Sequence, residues 1–133
     1  MPDLTLEQAQ RVLRVAQDEL ERSGGGAAVA VVDAHGELIA FARTGGCPLP
    51  SIQNAINKAY TAARERRPSR EIGDAARSER FPITNFGDLR YTGWGGGVPL
   101  VADDAVVGAV GISGLPEEDD MRLAAEAASA LAD

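Results

Sequence analysis

The sequence is short of the side chains on which most metal, redox and stapling chemistry depends. Its 133 residues include one cysteine (Cys47), one histidine (His35), one lysine (Lys58) and one tryptophan (Trp94). A lone cysteine allows neither an internal disulfide nor a cysteine zinc cage. A lone histidine removes any two-histidine metal site, so no metal centre is expected. No apolar run approaches the roughly 18–20 residues needed to cross a bilayer, and a membrane partner is not expected. The opening MPDLTLEQ lacks a basic and then apolar signal pattern, which makes the cytoplasm the expected location. Positive charge is also scarce: 13 Lys and Arg against 20 Asp and Glu give a net charge of -7. Such a chain is poorly suited to neutralising phosphates, so no nucleic-acid partner is expected.

What is present suits one globular domain spanning residues 1–133: 44% of residues are hydrophobic and 25% charged. Leu6, Ala9, Leu13, Ala16 and Leu20 recur at helical spacing, with Thr5 and Gln8 as a capping box and Ser23-Gly24-Gly25-Gly26 as the stop. Ala27 to Val32 and Glu37 to Arg43 read as a hairpin around Asp33-Ala34-His35-Gly36. Ser51 to Glu65 reads as a second helix, with Ile52, Ala55, Ile56, Ala59 and Ala63 on one face and Asn54, Thr61 and Glu65 on the other. A short helix to about Ser78 follows Pro68-Ser69. A long loop then carries one short strand near Tyr91 to Trp94. Val98 to Val101 and Ala105 to Ser113 form a second hairpin, and Pro116 opens a last helix with Met121, Ala124, Ala125, Ala128 and Leu131 inward. The order predicts an α+β domain: about five antiparallel strands against helices. With 23 alanines in the chain, each core contact removes little apolar area, so a homo-oligomer, at least a dimer, is expected.

Several residues could carry chemistry. Lys58 sits about 100° from the centre of its helix's apolar face, where it could reach a pocket as a base, a Schiff-base nucleophile or a carboxylate clamp, or simply snorkel to the surface. The second helix has no acid in its first turn. Ser51 as its cap, the flexible Gly45-Gly46 and Arg43 could together hold a carboxylate, although a plain cap would look the same. Gly95-Gly96-Gly97 leads into a strand and matches no nucleotide-binding motif, but it would let a flat ligand approach bare backbone beside Tyr91 and Trp94. His35, in a turn, reads as exposed and idle or as a fifth ligand offered to an iron porphyrin. Glu117 to Asp120 point in different directions and read as solvated acids, and Cys47 as a small, partly buried side chain. Residues 58–80 hold seven of the basic side chains against four acids, which suits a solvated surface or a docking segment.

Taken together, VAVVDAHGELIAFART, SIQNAINKAYTAA and GGGVPLVADDAVVGAVGISG followed by an acidic helix resemble the GlcG/HbpS family of haem-binding or haem-degrading proteins, which includes the PduO C-terminal domain. The motif set is specific in its order: a D-x-x-G hairpin, a K-A helix, a GG-x-P strand and a G-x-x-G-x-S-G strand. The resemblance implies a profilin-like fold, five antiparallel strands with helices on both faces. It implies a ligand cleft bordered by Lys58, Gly96, Gly97, Val98, Ser113 and Gly114, where two subunits meet. It also implies haem or another tetrapyrrole as ligand; in a binding module of that kind Arg43, Arg64 or Arg67 would meet the propionates and Tyr91 or Trp94 the ring. The candidate axial ligands are His35, Met121, Tyr60, Tyr91 and Cys47. Asp103-Asp104 departs from the family's Asp-Gly turn and asks Asp104 for a geometry that glycine adopts more easily. Two alternatives stand beside tetrapyrrole binding. One is a cofactor-independent isomerase, lyase or cyclase acting on a carboxylate-bearing or biosynthetic small molecule, with Lys58 catalytic. The other is an accessory or sensor subunit docking through residues 58–80.

Overall fold

In the computed structural model, which describes residues 3–132, the first helix begins where its capping box predicts. Thr5 Oγ1 accepts the Gln8 N–H at 3.1 Å, and Gln8 Oε1 accepts the Thr5 N–H at 2.9 Å. From there α1 (Leu6–Ser23) runs to Gly24, whose φ of +76° ends it in the left-handed region. The hairpin β1 (Ala28–Asp33) and β2 (Leu38–Arg43) closes over a turn in which Asp33 Oδ1 accepts the N–H groups of His35 and Glu37, at 2.8 and 3.0 Å. Next come α2 (Leu49–Glu65), α3 (Ser69–Glu79) and a short 3-10 turn at Ile83–Phe86. The strands β3 (Gly97–Ala102) and β4 (Ala105–Ser113) and the helix α4 (Glu117–Ser129) complete the order, followed by a 3-10 turn at Ala130–Ala132. No helix of the described residues is long and apolar enough to cross a membrane.

The sheet has the order β2-β1-β4-β3 and is antiparallel throughout. It has four strands among the described residues, not the expected five, because Tyr91 to Trp94 pairs with side chains instead of a ladder. The Thr92 N–H donates to Thr61 Oγ1 at 3.0 Å, Ser69 Oγ donates to the Trp94 carbonyl at 2.8 Å, and the Gly95 N–H donates to Glu117 Oε2 at 2.6 Å. With its backbone groups satisfied this way, the segment has few left to offer a neighbouring strand.

Strand alternation sets the layers. Val29, Val31, Val110 and Ile112 join the core with α1 and α4, while Ala28, Ala30, Val32 and Ala109 face α2. Helices therefore cover both faces. On the α2 side the approach is close enough to require glycine: a Cβ on Gly97 would lie 2.1 Å from the Lys58 carbonyl oxygen, and one on Gly111 would lie 2.1 Å from that of Ala55. At the β3–β4 turn both Asp103 (φ +51°) and Asp104 (φ +63°) are left-handed, so the strain expected at Asp104 is shared by its neighbour.

Two helices present faces that spacing did not predict. On α2, every residue from Lys58 to Ala63 is buried, including Thr61, which was expected outward. The segment that follows the Ile83–Phe86 turn wraps this side: besides the Thr92 contact, Tyr91 Oη donates to Glu65 Oε2 at 2.6 Å. On α4 the buried positions are Asp120, Leu123, Ala124 and Ala127, and Ala125 is exposed. An inward-facing acid has turned the stripe away from the expected one.

Candidate functional site

That acid pairs with the chain's one lysine. Lys58 is 3% exposed, and its Nζ donates to the Ile112 carbonyl at 2.9 Å and to Asp120 Oδ2 at 3.1 Å. Asp120 Oδ1 accepts the Leu115 N–H at 3.0 Å. The pair ties α2 to the start of α4 across the end of β4. Burial holds the Asp120 carboxyl above its usual range, against the opposing pull of the Lys58 ammonium and the N–H groups of Leu115 and Gly114.

Beside the pair opens a cleft of about 230 Å³. Of the residues expected at the site, Ser51, Lys58, Trp94, Ser113 and Gly114 line it. Gly96, at φ +126°, brings its backbone against the Lys58 side chain, and Gly97 supports the Lys58 backbone. Three expected residues lie elsewhere. Arg43 is exposed beside a separate hollow formed with Thr44 to Cys47. Val98 packs on the core shared with α1 and α4. Tyr91 is tied to Glu65 and stacks on Phe86 at 4.6 Å between ring centroids.

The expected carboxylate cradle at the start of α2 is absent for a local reason. Pro48 occupies the N-cap with no side-chain hydrogen bond, Pro50 has no N–H, and the Ser51 N–H is spent on the Pro48 carbonyl at 3.0 Å. Ser51 lies inside the helix and does not cap it. Spacing missed Asp120, Glu117 and Asn54, which also line the cleft. Asp120 was findable: it stands at i, i+3, i+4 and i+7 with Leu123, Ala124 and Ala127, an acid in an apolar stripe.

An iron porphyrin does not fit this cleft. No imidazole, thioether, thiol or phenol lines it. Tyr60 Oη donates to the Asp88 carboxylate, Met121 Sδ lies 3.7 Å from Arg70 Nη1, and burial pushes the Cys47 thiol up. His35 alone among the axial candidates is exposed, on the β1–β2 turn. That turn is at the far end of the sheet, because Ser113 pairs with Ala28 while Gly108 pairs with Asp33. Beside it, Arg66 Nη1 donates to the Ala34 carbonyl at 3.0 Å and Arg90 Nη1 to Glu37 Oε1 at 3.1 Å. No group of three or more metal-ligating side chains exists among the described residues.

Comparison with known proteins places this arrangement. The family model described as haem degrading protein HbpS-like matches residues 4–129. Protein GlcG of Escherichia coli strain K12 is 32% identical over 110 residues, covering 83% of this chain and 81% of GlcG. Among solved structures, a complex of PduOC with heme superposes with a TM-score of 0.89 at 27% identity, over 97% of this chain and 95% of that one. A double mutant of HbpS from Streptomyces reticuli gives 0.87 at 29% identity, over 97% and 87%. Matched from its first helix to its last, the chain belongs to the HbpS-like family.

Proposed function

We propose that this protein binds haem or a related tetrapyrrole at the β1–β2 turn, with His35 as the axial ligand. The observation that carries the reading is the likeness, over 97% of the chain, to a relative solved as a heme complex. The turn supports it in residue terms. It offers the chain's one imidazole to solvent, and Arg66 and Arg90 stand beside it to meet propionates. Asp33 fixes the loop by accepting two of its N–H groups, so the imidazole is carried on an ordered turn. A bound haem would supply iron-centred ligand binding and electron transfer.

Titration with haemin, followed through the Soret band, tests this. The wild type is expected to give a saturable, shifted band, and His35→Ala to lose the shift. Ser113→Ala, at the other end of the sheet, is expected to behave as wild type. A wild type without a saturable shift would overturn the reading, and a His35→Ala variant titrating normally would remove the turn from it.

A further inference from the structure

Both tyrosines of the chain donate their phenolic hydrogen to a carboxylate. Tyr60 Oη donates to Asp88 Oδ2, and Tyr91 Oη donates to Glu65 Oε2 at 2.6 Å. The two rings meet edge to face, with centroids 5.9 Å apart. At one end of the pair Tyr91 stacks on Phe86, which is 38% exposed. At the other end Tyr60 is buried under the β1–β2 turn: a Cβ on Gly36, the residue after His35, would lie 2.6 Å from Tyr60 Cδ1. A row of aromatic rings therefore runs from beneath the His35 turn to the surface at Phe86, and each phenol on it has a base in hand. A backbone carbonyl would have satisfied a buried phenol just as well, but only a carboxylate can also take its proton.

Arg90 holds this arrangement together. Its Nη2 donates to Tyr60 Oη at 2.9 Å, its Nη1 donates to Glu37 Oε1 at 3.1 Å, and its guanidinium carbon lies 3.8 Å from the centroid of the Tyr60 ring. The Arg64 guanidinium stands 5.4 Å from the same centroid. Two cations over one ring oppose a positive charge on it, so Tyr60 gives up an electron only together with its proton. Asp88 is placed to take that proton, and the neutral phenoxyl oxygen left behind still accepts from Arg90.

We propose that Tyr60 and Tyr91 form a relay that delivers single electrons to an oxidant held at the His35 turn. Tyr60 passes an electron to the oxidant and its proton to Asp88, leaving a neutral phenoxyl and a carboxylic acid. Tyr91 then passes an electron to that phenoxyl and its own proton to Glu65, while Asp88 returns its proton to Tyr60. The oxidised ring is now Tyr91, against the partly exposed Phe86. There a reductant of the hydroquinone class gives an electron to Tyr91 and a proton to water, and Glu65 returns its proton to Tyr91. The natural oxidant, a peroxide-activated haem, rests on the reading above; the test uses a different one.

That test is laser flash-quench of the haem-free full chain carrying a ruthenium polypyridine complex on His35, the chain's one imidazole. The flash and quencher turn the label into a ruthenium(III) one-electron oxidant fixed at the turn. The wild type is expected to give the phenoxyl absorption band at a rate independent of protein concentration, and Tyr60→Phe to lose the band. Asp88→Asn keeps the shape of the side chain but is too weak a base, and is expected to slow the rise about a hundredfold. Tyr91→Phe is expected to leave the rise unchanged, and added hydroquinone to quench its band severalfold more slowly than that of the wild type. Circular dichroism checks that each variant is folded. The proposal is overturned by oxidation of Trp94 with no phenoxyl, by a folded Tyr60→Phe variant that keeps the band, by an Asp88→Asn rise at the wild-type rate, or by a Tyr91→Phe band that hydroquinone quenches as fast as that of the wild type. A failed haemin titration would remove the natural oxidant alone, since no step of this experiment uses haem.

Discussion

Burial, and then the hydrogen bond to Glu65, pushes the Tyr91 phenol up to about 12, and burial with the Asp88 hydrogen bond raises Tyr60 as well. In an unfolded chain both would ionise near pH 10. The fold favours the neutral phenol, so this contribution to stability is whole below about pH 10 and is lost as the pH climbs toward the folded values. Alkaline titration is expected to show no phenolate absorbance at the pH where free tyrosine is half ionised, and then a rise that coincides with loss of helical ellipticity. One tyrosine titrating normally in a folded chain would contradict this. Lys58 and Asp120 make a second residue-scale case. Removing one partner of a buried pair strands a charge, so Lys58→Met is expected to cost about 3–5 kcal/mol in urea unfolding, and Lys58→Met/Asp120→Leu to recover most of it. Because the fold raises the Asp120 carboxyl, the folded state holds that proton more tightly than the unfolded one, and this group's contribution grows as pH falls through its raised value. The Lys58→Met deficit should therefore shrink on acidification, and a deficit that widens would count against the assigned direction.

Elements pack here by backbone proximity, which makes glycine positions on the α2 side more sensitive than apolar ones. A methyl group on Gly111 would sit 2.1 Å from the Ala55 carbonyl oxygen and 2.7 Å from the Ala59 nitrogen, α2 backbone with no flexible side chain to give way. Gly111→Ala is expected to cost at least about 1–3 kcal/mol by forcing α2 off β4, measured as a lowered denaturant midpoint. Gly45→Ala, with open space at its Cβ, serves as the neutral control. The same elements explain what the sequence disclosed. A capping box and an apolar stripe are local signals, so α1 was legible, and Asp33 to Gly36 and the paired aspartates marked both hairpins. The start of α2 was displaced because Pro48-Leu49-Pro50 begins a helix through proline geometry, with no side-chain cap. The false strand at Tyr91 to Trp94 and the outward reading of Thr61 share one cause: whether that loop paired with a strand or wrapped a helix depended on partners some 30 residues away. Lys58 was found because it is unique. Its partner was hidden among four consecutive acids, of which tertiary packing selects one.

At the scale of the molecule, a sheet edge and a net charge of -7 constrain how copies could meet. β3 is an outer strand and carries Pro99, which has no N–H to offer and discourages extension of the sheet from that side. Side-chain surfaces remain. Leu49 is 75% exposed beside Pro48, and Pro48 and Trp94 line the same cleft, so an apolar rim flanks one part of its mouth. Burying that rim would add to a core whose many alanines remove little area each. We therefore propose that copies associate there, with like charge working against them. Salt shortens the Debye length from about 10 Å at 0.1 M to about 3 Å at 1 M, which weakens repulsion between two chains of charge -7 while leaving apolar burial intact. Light scattering coupled to size exclusion is expected to give a mass above 13.9 kDa that holds or rises with salt, and Trp94→Glu should move it toward the single chain. A wild type that stays at 13.9 kDa at high salt and high concentration would place the rim on a monomer, and the cleft would then open to solvent in every copy.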